Sequence, residues 1–134
     1  MRYLLDTNII SDFIRNPAGR IAEKIRSVGE TQVCTSIVVA AELRYGAIKK
    51  RSPVLSARIE SLFDILEILP YGPLADEAYG LIRTRLEAIG RAIGANDMFI
   101  AAHAMALGYT VVTDNEREFG RIEGLSYENW LRPD

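Results

Sequence analysis

The chain has 134 residues, of which 49% are hydrophobic and 25% charged, a size and balance that fit one globular domain and exclude a disordered or low-complexity chain. No apolar run reaches the roughly 18 residues needed to span a bilayer, the N-terminus reads as a strand rather than a signal peptide, and the single cysteine, Cys34, rules out an internal disulfide. A cytoplasmic protein without membrane contact is therefore expected, and its formal charge of −2 gives no global pull toward nucleic acid.

Residues 2–5 read as a short buried strand, followed by Asp6, Thr7 and Asn8 and a helical turn through Ile9, Ile10, Phe13 and Ile14. Asn16 and Pro17 predict a cap and a first helical position, opening a helix whose Ile21, Ile25 and Val28 face the core before Gly29 ends it. Residues 31–35 form a second predicted strand. Ser36 then caps a helix running through Val39, Leu43 and Ala47 to Lys49, Lys50 and Arg51, cations that suit a helix C-terminus. Ser52 and Pro53 repeat the cap-then-proline start for a helix through Leu55, Ile59, Leu62 and Phe63, and residues 65–69 make a third strand.

After the turn at Tyr71, Gly72 and Pro73, residues 74–91 predict a long amphipathic helix with Ala78, Leu81, Ile82 and Leu86 on its apolar stripe. Asn96 is placed to cap a nearly fully buried helix containing Met98, Ile100, Ala101, Ala104 and Met105, which Gly108 stops. Residues 109–113 form a fourth strand ending in Thr113, Asp114 and Asn115, and a weak fifth lies at residues 125–127. This alternation, without repeat or long linker, predicts an α/β fold: one domain over residues 1–134, with a mainly parallel central sheet of four to five strands flanked by helices.

Ligands of such sheets bind beyond the carboxyl ends of the strands. Asp6 and the Thr113-Asp114-Asn115 run lie there, while Glu42 interrupts the apolar stretch VVAAEL and Asp97 opens the buried helix. Carboxylates against a core need partners or a cation, and an oxygen-only set selects a hard ion, Mg²⁺ or alternatively Mn²⁺. One or two such ions can activate water for phosphodiester hydrolysis. Each acid also has a plainer reading: Asp6 as a helix cap, Asp97 as a partner of a helix dipole, Glu42 paired with Arg44, Tyr45 or a lysine, Asp114 and Glu118 as surface charges. His103 reads as a hydrogen-bonded packing residue. Metal patterns built on cysteine or paired histidines, Gly-rich phosphate loops and nucleophile elbows are absent from the sequence.

Four ordered segments, LLDTNIIS at 4–11, SIVVAAELRYG at 36–46, IGANDMFIAAHA at 93–104 and VVTDNEREFGRIEGLSYENW at 111–130, resemble PIN-domain ribonucleases, most closely the VapC-type toxins of bacterial toxin–antitoxin pairs. The resemblance spans nearly the whole chain. It implies Mg²⁺-dependent endonucleolytic cleavage of RNA, dimerisation, and inhibition by a cognate VapB-type antitoxin. It also implies that Asp6 and Asp97 are the principal metal ligands, that Glu42 orients the attacking water, and that Thr7, Asn8, Thr113 and Asn115 give polar support. Many PIN domains carry Asp where this chain has Asn115, which leaves Asp114 or Glu118 as the fourth acid. Arg15, Arg44, Lys49, Lys50 and Arg51 are the candidate RNA contacts. Other α/β readings are a phosphoacceptor receiver domain, a phosphatase with Asp6 as nucleophile, and a non-catalytic protein-binding module. The receiver fits less well, because its central aspartate should follow the third strand, where Leu69, Pro70 and Tyr71 stand.

Overall fold

Five short strands rich in β-branched and aliphatic residues build the centre of the molecule: β1 (Tyr3–Leu5), β2 (Val33–Ser36), β3 (Glu67–Leu69), β4 (Thr110–Val112) and β5 (Tyr127–Glu128). The structure, a computed structural model, describes residues 2–133. The strands form one sheet of order β3-β2-β1-β4-β5, every pair of neighbours parallel, with Leu5 level with Thr35 on one side and Val112 on the other. The α/β expectation holds, with five strands and wholly parallel pairing. Parallel strands need long crossovers and bury both faces, and β2 and β4 are accordingly buried at every residue.

The crossovers carry helices α1 (Thr7–Arg15), α2 (Arg20–Val28), α3 (Ile37–Lys49), α4 (Pro53–Phe63), α5 (Ala75–Ala88), α6 (Ala95–Leu107) and α7 (Glu116–Phe119). α6 is the most apolar of them: Met98, Ile100, Ala101, Ala102, His103 and Ala104 are all buried. Its alanines allow close approach to the sheet, and Gly108 takes the left-handed conformation (φ 71°) that ends it. The predicted caps at Ser36 and Ser52 are present, the hydroxyls accepting from the amides of Val38 and Leu55 at 3.1 Å each, and Pro53 occupies the first turn of α4.

Several boundaries differ from the sequence reading, each for a local reason. α2 begins at Arg20 rather than at Pro17, because Asn16 closes α1 and its carbonyl accepts from the Gly19 amide at 2.9 Å in a tight turn. A 3₁₀ turn over Glu30–Gln32 takes up the first residues assigned to the second strand. Ile65, 84% exposed, and Leu66 turn off the end of α4 through bonds to the Leu62 carbonyl, which shortens β3 to Glu67–Leu69. Leu74 precedes α5 with φ 78°, and the helix ends at Ala88, short of residue 91. Leu81 lies off the buried stripe and is 53% exposed. β4 and β5 are likewise Thr110–Val112 and Tyr127–Glu128 rather than residues 109–113 and 125–127.

Candidate active site

In the order β3-β2-β1-β4-β5 the chain builds outward from β1 in both directions, so β1 and β4 meet where the connections diverge, the position at which open parallel sheets bind ligands. Asp6 leaves the carboxyl end of β1 there and Thr113 that of β4. The Asp6 amide donates to the Val112 carbonyl at 2.9 Å, extending the sheet pairing by one step, and the side chain is only 4% exposed. Its Oδ2 accepts from Thr113 Oγ1 at 2.8 Å and its Oδ1 from the Thr7 amide at 2.7 Å. Asp6 is thus the cap of α1, as its plainer reading held, while also standing at the centre of an acidic cluster.

The other acids gather around it from separate helices. Glu42 projects from α3, its Oε1 accepting from Thr7 Oγ1 at 2.6 Å and its Oε2 from Asn96 Nδ2 at 3.0 Å. Neither Arg44 nor a lysine pairs with it: Arg44 forms a bidentate pair with Glu60 and lies over the Phe63 ring. Asp97, in the first turn of α6, shares the Asn115 side-chain amide with Glu118, at 2.9 Å to Asp97 Oδ2 and 2.8 Å to Glu118 Oε2. The Asn115 backbone amide donates to Thr113 Oγ1 at 2.9 Å, so a chain of contacts runs from Asp6 through Thr113 and Asn115 to Asp97 and Glu118. Asp114 is exposed at the rim, where Asn8 Nδ2 donates to it at 3.1 Å.

The electrostatics are those of crowded, partly dehydrated carboxylates. Burial pushes Asp6 up to about 6 against the pull of its hydrogen bonds to Thr113 and Thr7, with Glu42 and Asp114 adding repulsion. Burial raises Asp97 to about 8, helped by its contact with Glu118 and by the charge of Asp6. Glu118 moves the opposite way, held down first by Asp97 and then by Asn115 and the Gly94 amide. No three acidic, histidine or cysteine side chains among the described residues are grouped to hold an ion by themselves. An all-oxygen set of crowded carboxylates, with Asp6 buried and Glu42, Asp97 and Glu118 half-buried, fits a hard divalent ion bound through one or two carboxylates and its own waters.

Asn96 does not fill the capping role expected of it. Gly94, not Asn96, is the cap of α6, and the Asn96 side chain reaches across to Glu42 instead. Of the basic candidates, Arg15 and Lys50 line a cleft of about 210 Å³ between α1 and α3 that also reaches Thr7 and Glu42. Lys49 lies over the Tyr45 ring.

His103 is buried against α3, its Nδ1 2.8 Å from Ser36 Oγ and its ring edge-on to Tyr71, well integrated in the packing. Burial lowers its proton affinity despite a bond to the Pro70 backbone. The unfolded chain therefore binds the extra proton more readily, and acidification through the ordinary histidine value of about 6.5 favours unfolding. The difference in thermal stability between wild type and His103→Gln is expected to shrink as pH falls from 7 to 5, read from paired melting curves.

The PIN domain profile matches residues 3–125. Ribonuclease VapC2 of Haemophilus influenzae is 39% identical over 133 residues, covering 98% of this chain and 99% of that protein. The tRNA(fMet)-specific endonuclease VapC of Shigella flexneri is 37% identical over 131 residues, covering 97% and 98%. Among solved structures, VapBC2 from Rickettsia felis bound to a DNA fragment from their promoter contains a chain that superposes with a TM-score of 0.90 at 35% identity, over 97% of this chain and 99% of that one. DNA-bound VapBC from Salmonella typhimurium gives 0.91 at 37% identity, over 97% and 98%. The chain belongs to the PIN-domain family, among its VapC ribonucleases.

Proposed function

We propose that this chain, one domain over residues 1–134, is a Mg²⁺-dependent endoribonuclease and the toxin of a toxin–antitoxin pair. Its proposed partners are RNA as substrate, a VapB-type antitoxin and a second copy of itself, and its setting is the cytoplasm. Mn²⁺ is the expected substitute metal. Among the described residues no helix is long and apolar enough to cross a membrane. The observation that carries the reading is the convergence of Asp6, Glu42, Asp97 and Glu118 at the carboxyl ends of β1 and β4, threaded by Thr7, Thr113 and Asn115.

Asp6 and Asp97 would hold the metal, which when bound supplies a Lewis acid and makes water a stronger nucleophile. Thr113 and the Thr7 amide fix the two oxygens of Asp6, so its remaining lone pairs have a set direction. Asn115 does the same for Asp97, and its second contact favours Glu118 over Asp114 as the fourth acid. Glu42 orients water for in-line attack on the phosphodiester and accepts its proton. Asn8 and Asp114 close the rim, and Arg15 and Lys50 offer charge to the flanking phosphates.

Chelator-stripped protein is expected to leave RNA intact, and Mg²⁺ or Mn²⁺ to restore cleavage. The same ions should raise the melting temperature by several degrees, about what saturating a single site gives a chain of this size. Cleavage that persists unchanged in excess chelator would sink the metal mechanism.

A further inference from the structure

We infer that Asn96 is a positioning residue for Glu42, fixing with Thr7 the carboxylate that orients water; the inference rests on the activity proposed above. A glutamate reaching out from the middle of a helix has several rotamers of similar energy, and its carboxylate is only as well placed as the groups that hold it. Here each oxygen has its own anchor, from a different helix. Thr7 Oγ1 of α1 donates to Oε1 at 2.6 Å, and Asn96 Nδ2 of α6 donates to Oε2 at 3.0 Å. Two anchors define the plane of the carboxylate, whereas Thr7 alone would leave it free to swing about one oxygen. Each oxygen keeps a further lone-pair direction for water.

The position of Asn96 adds a second constraint. It immediately precedes Asp97, so one turn of α6 carries both a proposed metal ligand and the anchor for the water-orienting acid. The spacing between Glu42 and Asp97 is thereby set by a single stretch of backbone. A capping role does not account for Asn96, since Gly94 holds the cap position and the Asn96 amide leaves the helix toward α3. Helix stability would be better served by an acid, because the first turn of a helix favours negative charge. Beside Glu42 such an acid would replace a donor with a repelling group.

That opposition gives the test. Asn96→Asp and Asn96→Ala are assayed with Mg²⁺ and RNA, with melting curves recorded with and without Mg²⁺. Asn96→Asp should melt within a few degrees of wild type without metal, the helix-dipole gain offsetting the repulsion from Glu42, and keep its Mg²⁺-induced rise, yet lose kcat by about 10-fold or more with KM unchanged, the scale typical of outer-sphere partners in metal sites. Asn96→Ala should show the same split between kcat and KM. Wild-type kcat in Asn96→Asp overturns the assignment, as does a loss confined to KM or a lost Mg²⁺-induced rise, which would tie Asn96 to substrate or to the metal ligands instead. A wild-type chain that cleaves no RNA overturns this assignment together with the activity beneath it, whereas an active wild type with equally active variants overturns this assignment alone.

Discussion

Asp6→Asn is expected to reduce metal-dependent RNA cleavage by at least about 100-fold while making the metal-free protein melt at a higher temperature than wild type at pH 8. Both effects come from one carboxylate. At 4% exposure Asp6 has lost most of its water, and its proton affinity is raised to about 6 even with Thr113 and Thr7 donating to it. The fold therefore disfavours the charged form relative to water, and a neutral isostere relieves that cost as well as the repulsion from Glu42 and Asp114. Asn keeps an oxygen for one of the two donors but cannot supply the negative charge a divalent ion requires. Asp97→Asn should follow the same pattern. Matched melting curves and RNA cleavage assays check both halves, and a variant that retains activity would remove Asp6 from the metal site.

The second large effect is on pH. Both Asp6, at about 6, and Asp97, at about 8, hold protons more tightly than free aspartate, which titrates near 4. For an acid whose folded value is raised, the native state binds more protons than the unfolded chain, so the metal-free protein loses stability as pH rises from about 4 toward 8. A divalent ion binding the same oxygens must displace those protons, so its affinity rises with pH over the same window. Apparent Mg²⁺ affinity, read as the concentration that half-restores cleavage or half-completes the melting shift, is expected to tighten by close to 10-fold per pH unit between about 6 and 8, where one proton is displaced per ion. Above that window the affinity should level off. Mg²⁺ affinity that is flat from pH 6 to pH 8 would mean that the ion binds elsewhere.

The sequence made the architecture readable where the signal is local. Buried strand runs, serine caps at Ser36 and Ser52, Pro53 in a first turn and Gly108 as a stop are each decided within a few residues, and each stands in the structure. Asp6 was visible for a similar reason, as the first polar residue after an apolar strand. What escaped was decided between distant segments. An asparagine near a helix start looks the same in sequence whether its side chain turns back to the backbone or crosses to another helix. Asn96 does the latter, meeting a glutamate 54 positions away. Asp114 and Glu118 look alike in sequence, and what separates them is how α7 turns Glu118 back toward Asn115, which also holds Asp97, while Asp114 faces Asn8. The exposure of Leu81 likewise follows from where its neighbours lie, since periodicity alone places it with Ile82 and Leu86.

Within the sheet, β1 is the first strand made and β4 the fourth, yet they are neighbours. Asp6 leaves the first, and the hydroxyl that holds it leaves the second, 107 positions later. Asp6 is therefore made at the outset with only the neighbouring Thr7 amide to hold it, its Thr113 partner arrives once β4 has been made, and Glu118 follows later still. The acids thus come together only in a chain made through Glu118, since a polypeptide broken off before residue 110 lacks β4 and the Thr113 hydroxyl beside Asp6.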